Sequence, residues 1–207
     1  MLRMFDQLPT LIGGSRLELD GDGTARRLRL ALVATVGTAL AAALYGLAAG
    51  CTDPQLAVGN LLKVPMVVLM SGVAALPAGL LAAKLTEAEI DFADVVTSLV
   101  SANFTGSLVL LAAAPVVALY YLTGSTFSAH IGLAAGILAE IVAVWIFFRA
   151  ANERRPEESR KRDVFLPLAV TSVIQVVALV QLVGIASPIL PEITPLTQGM
   201  DGLLAGH

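Results

Sequence analysis

The stretch LLKVPMVVLMSGVAALPAGLLAAK, residues 61–84, combines a long apolar run with a lysine, Lys63, and two interior prolines, Pro65 and Pro77. Proline inside a helix removes a backbone hydrogen bond and clashes with the preceding turn, so helices in soluble cores rarely keep it. Spanning helices keep prolines because neighbouring helices, hydroxyl side chains and trapped water satisfy the freed groups. The stretch therefore predicts a membrane-spanning helix over Leu61–Ala83, with kinks that usually serve packing.

The composition of the 207 residues agrees with this interpretation. Hydrophobic residues make up 57% of the chain and charged residues only 14%, and the mean hydropathy is +0.82. So little polar surface excludes a soluble globule, and the length suits one compact helical bundle. A net charge of -3 without a basic surface run makes nucleic acid an improbable partner, and the single cysteine, Cys51, excludes an internal disulfide.

The fold class predicted is all-α: a polytopic bundle of about five transmembrane helices. With about 20 apolar residues needed for one crossing, the spans are Leu28–Ala49, Leu61–Ala83, Val95–Leu122, Ala129–Phe148 and Val164–Leu190. The third span has an alternative, because residues 101–107 are polar enough to separate an interfacial half, 90–100, from a membrane half that starts near Phe104.

Orientation follows from the lysines and arginines, which are retained on the cytoplasmic side of the membrane. They precede the first predicted span, follow the second and fill the connection between the fourth and the fifth, whereas the loops 50–60 and 123–128 and the tail contain none. We therefore expect a cytoplasmic amino terminus and a carboxyl terminus outside. The predicted organisation is a cytoplasmic segment 1–27 with a short surface helix as one interpretation, the bundle 28–190, and a proline-containing tail 191–207.

Helices in lipid associate through small residues that let backbones approach closely. Two segments have this spacing, Gly46 with Gly50 and Gly132 with Gly136. They are interpreted as contacts inside the bundle, with a contact to another subunit as the alternative. Pro115 adds a third candidate kink.

Polar groups inside the membrane are costly and are functional candidates by default. At about 1.5 Å per residue, Glu140 and Gln175 both lie roughly 16 Å from the start of their spans. A hydrogen bond between them is the structural interpretation, and a proton or cation site at Glu140 is the functional one. Lys63 is predicted to extend toward the interface, and Asn103 to make an interhelical or helix-end hydrogen bond.

No sequence pattern indicates catalysis or a cofactor. The chain lacks a nucleophile elbow, a phosphate loop and a zinc-binding helix motif, and His130 has no second histidine near it in sequence. The sequence predicts neither an enzyme nor a metal or haem protein.

The second and third spans carry a resemblance to a known family. Leu62-Lys63-Val64-Pro65, Leu76-Pro77 and Ala114-Pro115-Val116, followed by a tyrosine pair, resemble bacterial multispan proteins akin to the Yip family of Rab-interacting membrane proteins, over roughly 28–149. The resemblance implies about five helices and a cytoplasmic amino terminus. The chain lacks the long amino-terminal region through which the eukaryotic members recruit GTPases, so that function is not carried over.

The function predicted is a non-catalytic scaffold, anchor or accessory subunit in a bacterial inner-membrane assembly. Its partners would be membrane lipids and other membrane or peripheral subunits, with a homo-oligomer as a further expectation. The runner-up is a small oligomeric channel or transporter that uses Glu140 and Lys63. A lipid-modifying or lipid-binding protein, which would need polar residues clustered at one interface, is a third interpretation. The mixed basic loop is interpreted as solvated or as a docking site for a partner; its candidates are Arg154, Arg155, Arg160, Lys161 and Arg162.

Overall fold

The computed structural model describes residues 23–88, 91–123, 128–154 and 161–186, and these form five long helices. Each contains a segment long and apolar enough to cross a membrane, which confirms the predicted all-α architecture and the predicted number of long apolar helices. The helices are α1 (Gly23–Ala49), α2 (Pro54–Leu85), α3 (Phe92–Leu122), α4 (Ser128–Arg154) and α5 (Lys161–Ala186). The predicted surface helix of the first 22 residues and the tail 191–207 lie outside the described residues.

The five helices alternate in direction. The carboxyl ends of α1, α3 and α5 and the amino ends of α2 and α4 lie together at one end of the bundle, here called the 50–53 end after its first loop. The opposite end, called the 86–91 end, holds the amino ends of α1 and α3, which the ion pair between Arg27 and Asp94 joins. Each helix therefore runs antiparallel to the next in sequence.

Helix α2 begins seven residues before the predicted span. Asp53 has an extended backbone and its side chain accepts a hydrogen bond of 2.8 Å from the amide of Gln55, and Pro54 occupies the first turn. Both features favour a helix start, because an N-cap aspartate satisfies a free amide and proline has none to satisfy. The helix continues through Pro65 and Pro77 and ends at Leu85, with Thr86 as its C-cap.

The third predicted span is one uninterrupted helix, Phe92–Leu122, so the predicted break at residues 101–107 is wrong. Its polar run, residues 101–107, is buried in the bundle. The hydroxyls of Ser101 and Thr105 donate to backbone carbonyls one turn earlier, at 2.9 Å each. This bonding satisfies the polar groups inside the helix, so the run does not need water.

The helices pack in a fixed order. Helix α1 packs extensively against α2 and α3, α4 covers α3, and α5 covers α2. Contacts between α4 and α5 are few, although these two helices would close the ring. They meet near the 86–91 end, where Phe148 and Phe165 have ring centroids 5.7 Å apart and Phe147 lies in the same buried apolar cluster as Val164 and Leu168.

The two glycine pairs have different surroundings. At Gly46 a Cβ would collide with the backbone carbonyl of Asn60, and at Gly50 it would lie 2.5 Å from the Cα of Ala57. Both residues therefore let α1 contact the backbone of α2 directly. Gly136, in contrast, has no atom within 4 Å of an added Cβ, so it borders open space.

This difference yields a stability prediction. We expect Gly46→Ala to lower the free energy of unfolding by about 1–3 kcal/mol, because the added methyl group must separate α1 from α2. Gly136→Ala is the matched control, and it should leave stability unchanged or raise it by about 0.5–1 kcal/mol, since alanine is the better helix former. Thermal unfolding in mild detergent measures both. Equal melting temperatures for the two variants would contradict the close α1–α2 contact.

Candidate functional site

A cavity of about 600 Å³ lies between the helices in the half of the bundle nearer the 50–53 end. All five helices contribute to its walls, which are mainly apolar. The lining includes the four polar residues that the sequence singles out within the predicted spans: Lys63 on α2, Asn103 on α3, Glu140 on α4 and Gln175 on α5. Residues that lie far apart in sequence therefore face one shared space.

The inner limit of the cavity is a buried hydrogen bond. The side-chain amide of Gln175 donates to Oδ1 of Asn103 at 2.9 Å, and both residues are less than 10% exposed. The predicted bond between Glu140 and Gln175 is wrong, because Gln175 is paired with Asn103 instead. Equal depth along two helices does not fix which side chains face each other. Asn103 projects from α3 close to Gly72 of α2, on the side of α2 that α5 covers, and it can therefore reach Gln175 of α5.

Glu140 has an unusual environment. One carboxyl oxygen, Oε1, is buried without a hydrogen-bond partner in the structure. Buried polar groups are nearly always paired, and a carboxyl in apolar surroundings is especially costly to leave alone. Asn60 also lacks side-chain partners, but it is fully buried and is not among the cavity-lining residues. Glu140 is thus the unpaired acidic group that a molecule in the cavity could reach.

Lys63 lines the part of the cavity nearer the 50–53 end. Its Cε lies 3.9 Å from the Cβ position of Gly59, one helical turn closer to the 50–53 end. The stem therefore extends toward that end, the behaviour of a lysine that covers apolar surface while its ammonium approaches water. Within the described part of the chain, Lys63 and Glu140 do not form an ion pair with each other.

The cavity opens sideways between α4 and α5. Leu133, Ile137 and Ile141 of α4 line the cavity and are also exposed on the outside of the bundle, and Val180 of α5 has both properties. These exposed aliphatic side chains stand where the two helices have few contacts. The opening would face lipid chains if the helices span a membrane, so an apolar molecule could enter from the side.

Two tyrosines that the sequence analysis did not single out shape the other wall. The hydroxyl of Tyr45 donates to the carbonyl of Gly132 at 2.8 Å, and the hydroxyl of Tyr121 lies 3.0 Å from the Cβ position of the same glycine. Gly132 thus gives both rings room against α4. A tyrosine inside an apolar span was the available signal, because its hydroxyl needs a partner when buried.

The basic loop has an unexpected first member. Arg154 is only 9% exposed, and its guanidinium donates to Oγ of Ser98 at 3.1 Å. The prediction that Arg154 belongs to an exposed docking surface is therefore wrong; the residue is part of the packed end of α4. Arg155 and Arg160 lie outside the described residues, as do the side chains of Lys161 and Arg162.

The polar groups of the cavity are few. Within the described segments, no three His, Cys, Asp or Glu residues lie close enough together to hold a metal ion. The carboxyl group of Glu140, the ammonium group of Lys63 and the amides of Asn103 and Gln175 can recognise a polar group attached to an apolar body. Ligand pockets typically have this character, with apolar walls and few polar groups that fix orientation.

The Asn103–Gln175 bond can be tested by a double-mutant cycle. Gln175→Leu alone should cost about 1 kcal/mol, because it leaves Oδ1 of Asn103 unpaired. Combining Gln175→Leu with Asn103→Leu should cost less than the sum of the two single changes, as thermal unfolding in detergent would measure. Strict additivity would contradict a direct bond.

A second comparison tests the buried position of Arg154. Arg154→Ala should lower stability by about 1–3 kcal/mol, since it removes a charged hydrogen bond and the packing of the stem. Arg149→Ala is the control on the same helix: Arg149 is exposed and pairs with Glu153 at 3.3 Å, and such surface pairs contribute at most about 1 kcal/mol. Equal losses in melting temperature would argue against the buried position.

Comparison with known proteins gives no relative from which to infer a role. No protein-family model matches the chain, and neither the curated proteins nor the solved structures contain a significant match. The resemblance to the Yip family thus stays a prediction from the quoted residues.

Proposed function

We propose that this chain is a non-catalytic multi-pass protein of the bacterial inner membrane that binds a lipid-like small molecule inside its helical bundle. The observation that carries the proposal is the cavity of about 600 Å³, whose walls gather Lys63, Asn103, Glu140 and Gln175. The proposed orientation in the membrane has a cytoplasmic amino terminus and the 50–53 end facing outward, as the distribution of lysine and arginine predicts.

The lining supports an amphipathic ligand rather than a water-soluble one. Apolar side chains dominate the walls, and the exposed opening between α4 and α5 consists of leucine, isoleucine and valine residues. A molecule with an apolar body can reach this opening directly from the surrounding lipid. Its polar group would then meet the few polar side chains at the inner part of the cavity.

The other half of the bundle argues against conduction through a single copy. Toward the 86–91 end, buried side chains such as Leu99, Phe147 and Leu168 form an apolar cluster. These side chains fill the space between the Asn103–Gln175 bond and the 86–91 end. A blind cavity favours binding over an open path, so the channel interpretation has less support than the binding one.

A scaffold or accessory subunit can also bind a lipid, so the two roles are compatible. The sequence-based prediction that the chain belongs to a larger assembly is tested separately from lipid binding. Native mass spectrometry of protein solubilised from its natural membrane should recover other subunits in stoichiometric amounts. Recovery of a homo-oligomer alone would remove the support for an accessory role.

The binding proposal predicts the effect of filling the cavity. Gly136→Leu adds an isobutyl group where a Cβ meets no atom within 4 Å, so it should reduce co-purifying lipid severalfold while the protein stays folded. Ala134→Leu is the matched control, because Ala134 is exposed on the same helix and does not line the cavity. Lipid extracted from the purified variants is quantified by mass spectrometry.

Two results would contradict the proposal. One is wild-type protein that retains no lipid beyond the annular background common to both variants. The other is equal retention by Gly136→Leu and Ala134→Leu when both have the melting temperature of the wild type.

A further inference from the structure

We infer that the ligand of the cavity is a lipophilic amine, whose ammonium group binds the carboxyl group of Glu140 while its apolar body occupies the cavity and the opening between α4 and α5. This inference rests on the proposed function and adds the chemical class of the ligand. It follows from three properties of Glu140: its missing partner, its place among the other charges, and its distance from the opening.

The first property is the unsatisfied carboxyl oxygen. Oε1 of Glu140 has no hydrogen-bond donor near it, although the amide of Gln175 is close enough to line the same cavity and donates to Asn103 instead. The recorded hydrogen bond of Gln175 goes to Asn103, and Oε1 of Glu140 has no partner among the described residues. A ligand in the cavity can supply the missing hydrogen bond.

The second property is charge. Among the described residues that line the cavity, Lys63 is the one lysine or arginine and Glu140 is the one aspartate or glutamate. Gly72 packs beside Asn103, and Gly106 packs against Ala139 next to Glu140. Counted along the helices from these contacts, Lys63 lies roughly 10 Å closer to the 50–53 end than Glu140 does.

The stem of Lys63 extends toward Gly59, so its ammonium lies closer to the 50–53 end than its own backbone does. No ion pair joins Lys63 to Glu140 among the described residues. The inner part of the cavity therefore holds an acidic group that no basic side chain of the described segments pairs with. A cationic donor complements such a site better than a neutral hydroxyl, because a charged hydrogen bond is about twice as strong as a neutral one.

The third property is access. Glu140 precedes Ile141 and follows Ile137 by less than one turn, and both isoleucines are exposed at the opening while they line the cavity. A ligand that enters between α4 and α5 would place its polar group near Glu140 and leave its apolar chain among these aliphatic side chains. A headgroup anchored at Lys63 would lie nearer the 50–53 end and would leave the carboxyl group of Glu140 without a partner.

The test uses three probes with the same twelve-carbon chain: dodecylamine, dodecanol and dodecanoate. Each is titrated into the purified full-length protein in a non-ionic detergent, and native mass spectrometry measures the bound fraction. We expect the wild-type protein to bind dodecylamine about tenfold or more tightly than dodecanol. Equal affinities would overturn the inference, and tighter binding of dodecanoate would do so by pointing to Lys63 as the headgroup contact.

A variant then assigns the selectivity to one residue. Glu140→Gln keeps the size of the side chain but removes its negative charge, so it should abolish the preference for dodecylamine over dodecanol. Glu153→Gln is the matched control: the same substitution on the same helix, at a residue that pairs with Arg149 away from the cavity, should keep the preference. An equal loss of affinity for both probes in Glu140→Gln would overturn the inference, since it would indicate a structural role.

The outcomes separate this inference from the proposed function. If wild-type protein retains lipid that Gly136→Leu loses but shows no preference for the amine, the binding function stands and the lipophilic-amine assignment fails. If wild-type protein retains neither lipid nor any probe, both fail. The comparison of the three probes on the wild-type protein needs no variant, so an unstable Glu140→Gln would not prevent the decision.

Discussion

The bundle depends on one constraint: polar side chains of the buried helix α3 must find partners without water. The hydroxyls of Thr97, Ser98, Ser101 and Thr105 each donate to the carbonyl four residues earlier, at 2.6–2.9 Å. A side chain that is satisfied by its own helix can be buried at little cost. These small residues also let neighbouring helices approach closely, so α3 can lie between α1 and α4.

Close approach on one side leaves space on the other. At Gly106 a Cβ would lie 3.0 Å from the Cβ of Ala143, and at Gly37 it would lie 2.6 Å from the ring of Phe104. Helices α1, α3 and α4 are therefore held together along their lengths. Helix α5 packs on α2 instead of α4, so the ring closes only near the 86–91 end, and the cavity forms where α4 and α5 separate. The close packing of α1, α3 and α4 and the open space between α4 and α5 thus result from the same arrangement of helices.

The fold was largely predictable from sequence because the physical signals are local. The length of each apolar run, the interior prolines and the near absence of charge are all features that a helix in a lipid bilayer requires or tolerates, and each can be read from one segment alone. Helix ends were less certain: the Asp53-Pro54 start of α2 lies outside the purely apolar run, so a hydropathy criterion places the start too late. The polar run of α3 also misleads, since hydropathy does not register that serine and threonine can bond to their own helix.

The sequence by itself determined that the chain forms five long apolar helices and that Lys63, Asn103, Glu140 and Gln175 lie within them, because apolar length and polar exceptions are properties of each segment alone. Only the tertiary structure decided that these four residues share a cavity, that Gln175 pairs with Asn103 while Glu140 stays unpaired, and that Arg154 is buried. The reason is that helix rotation and helix neighbours are set by packing between segments, through contacts such as Gly46 against Asn60, and no single segment encodes its partner.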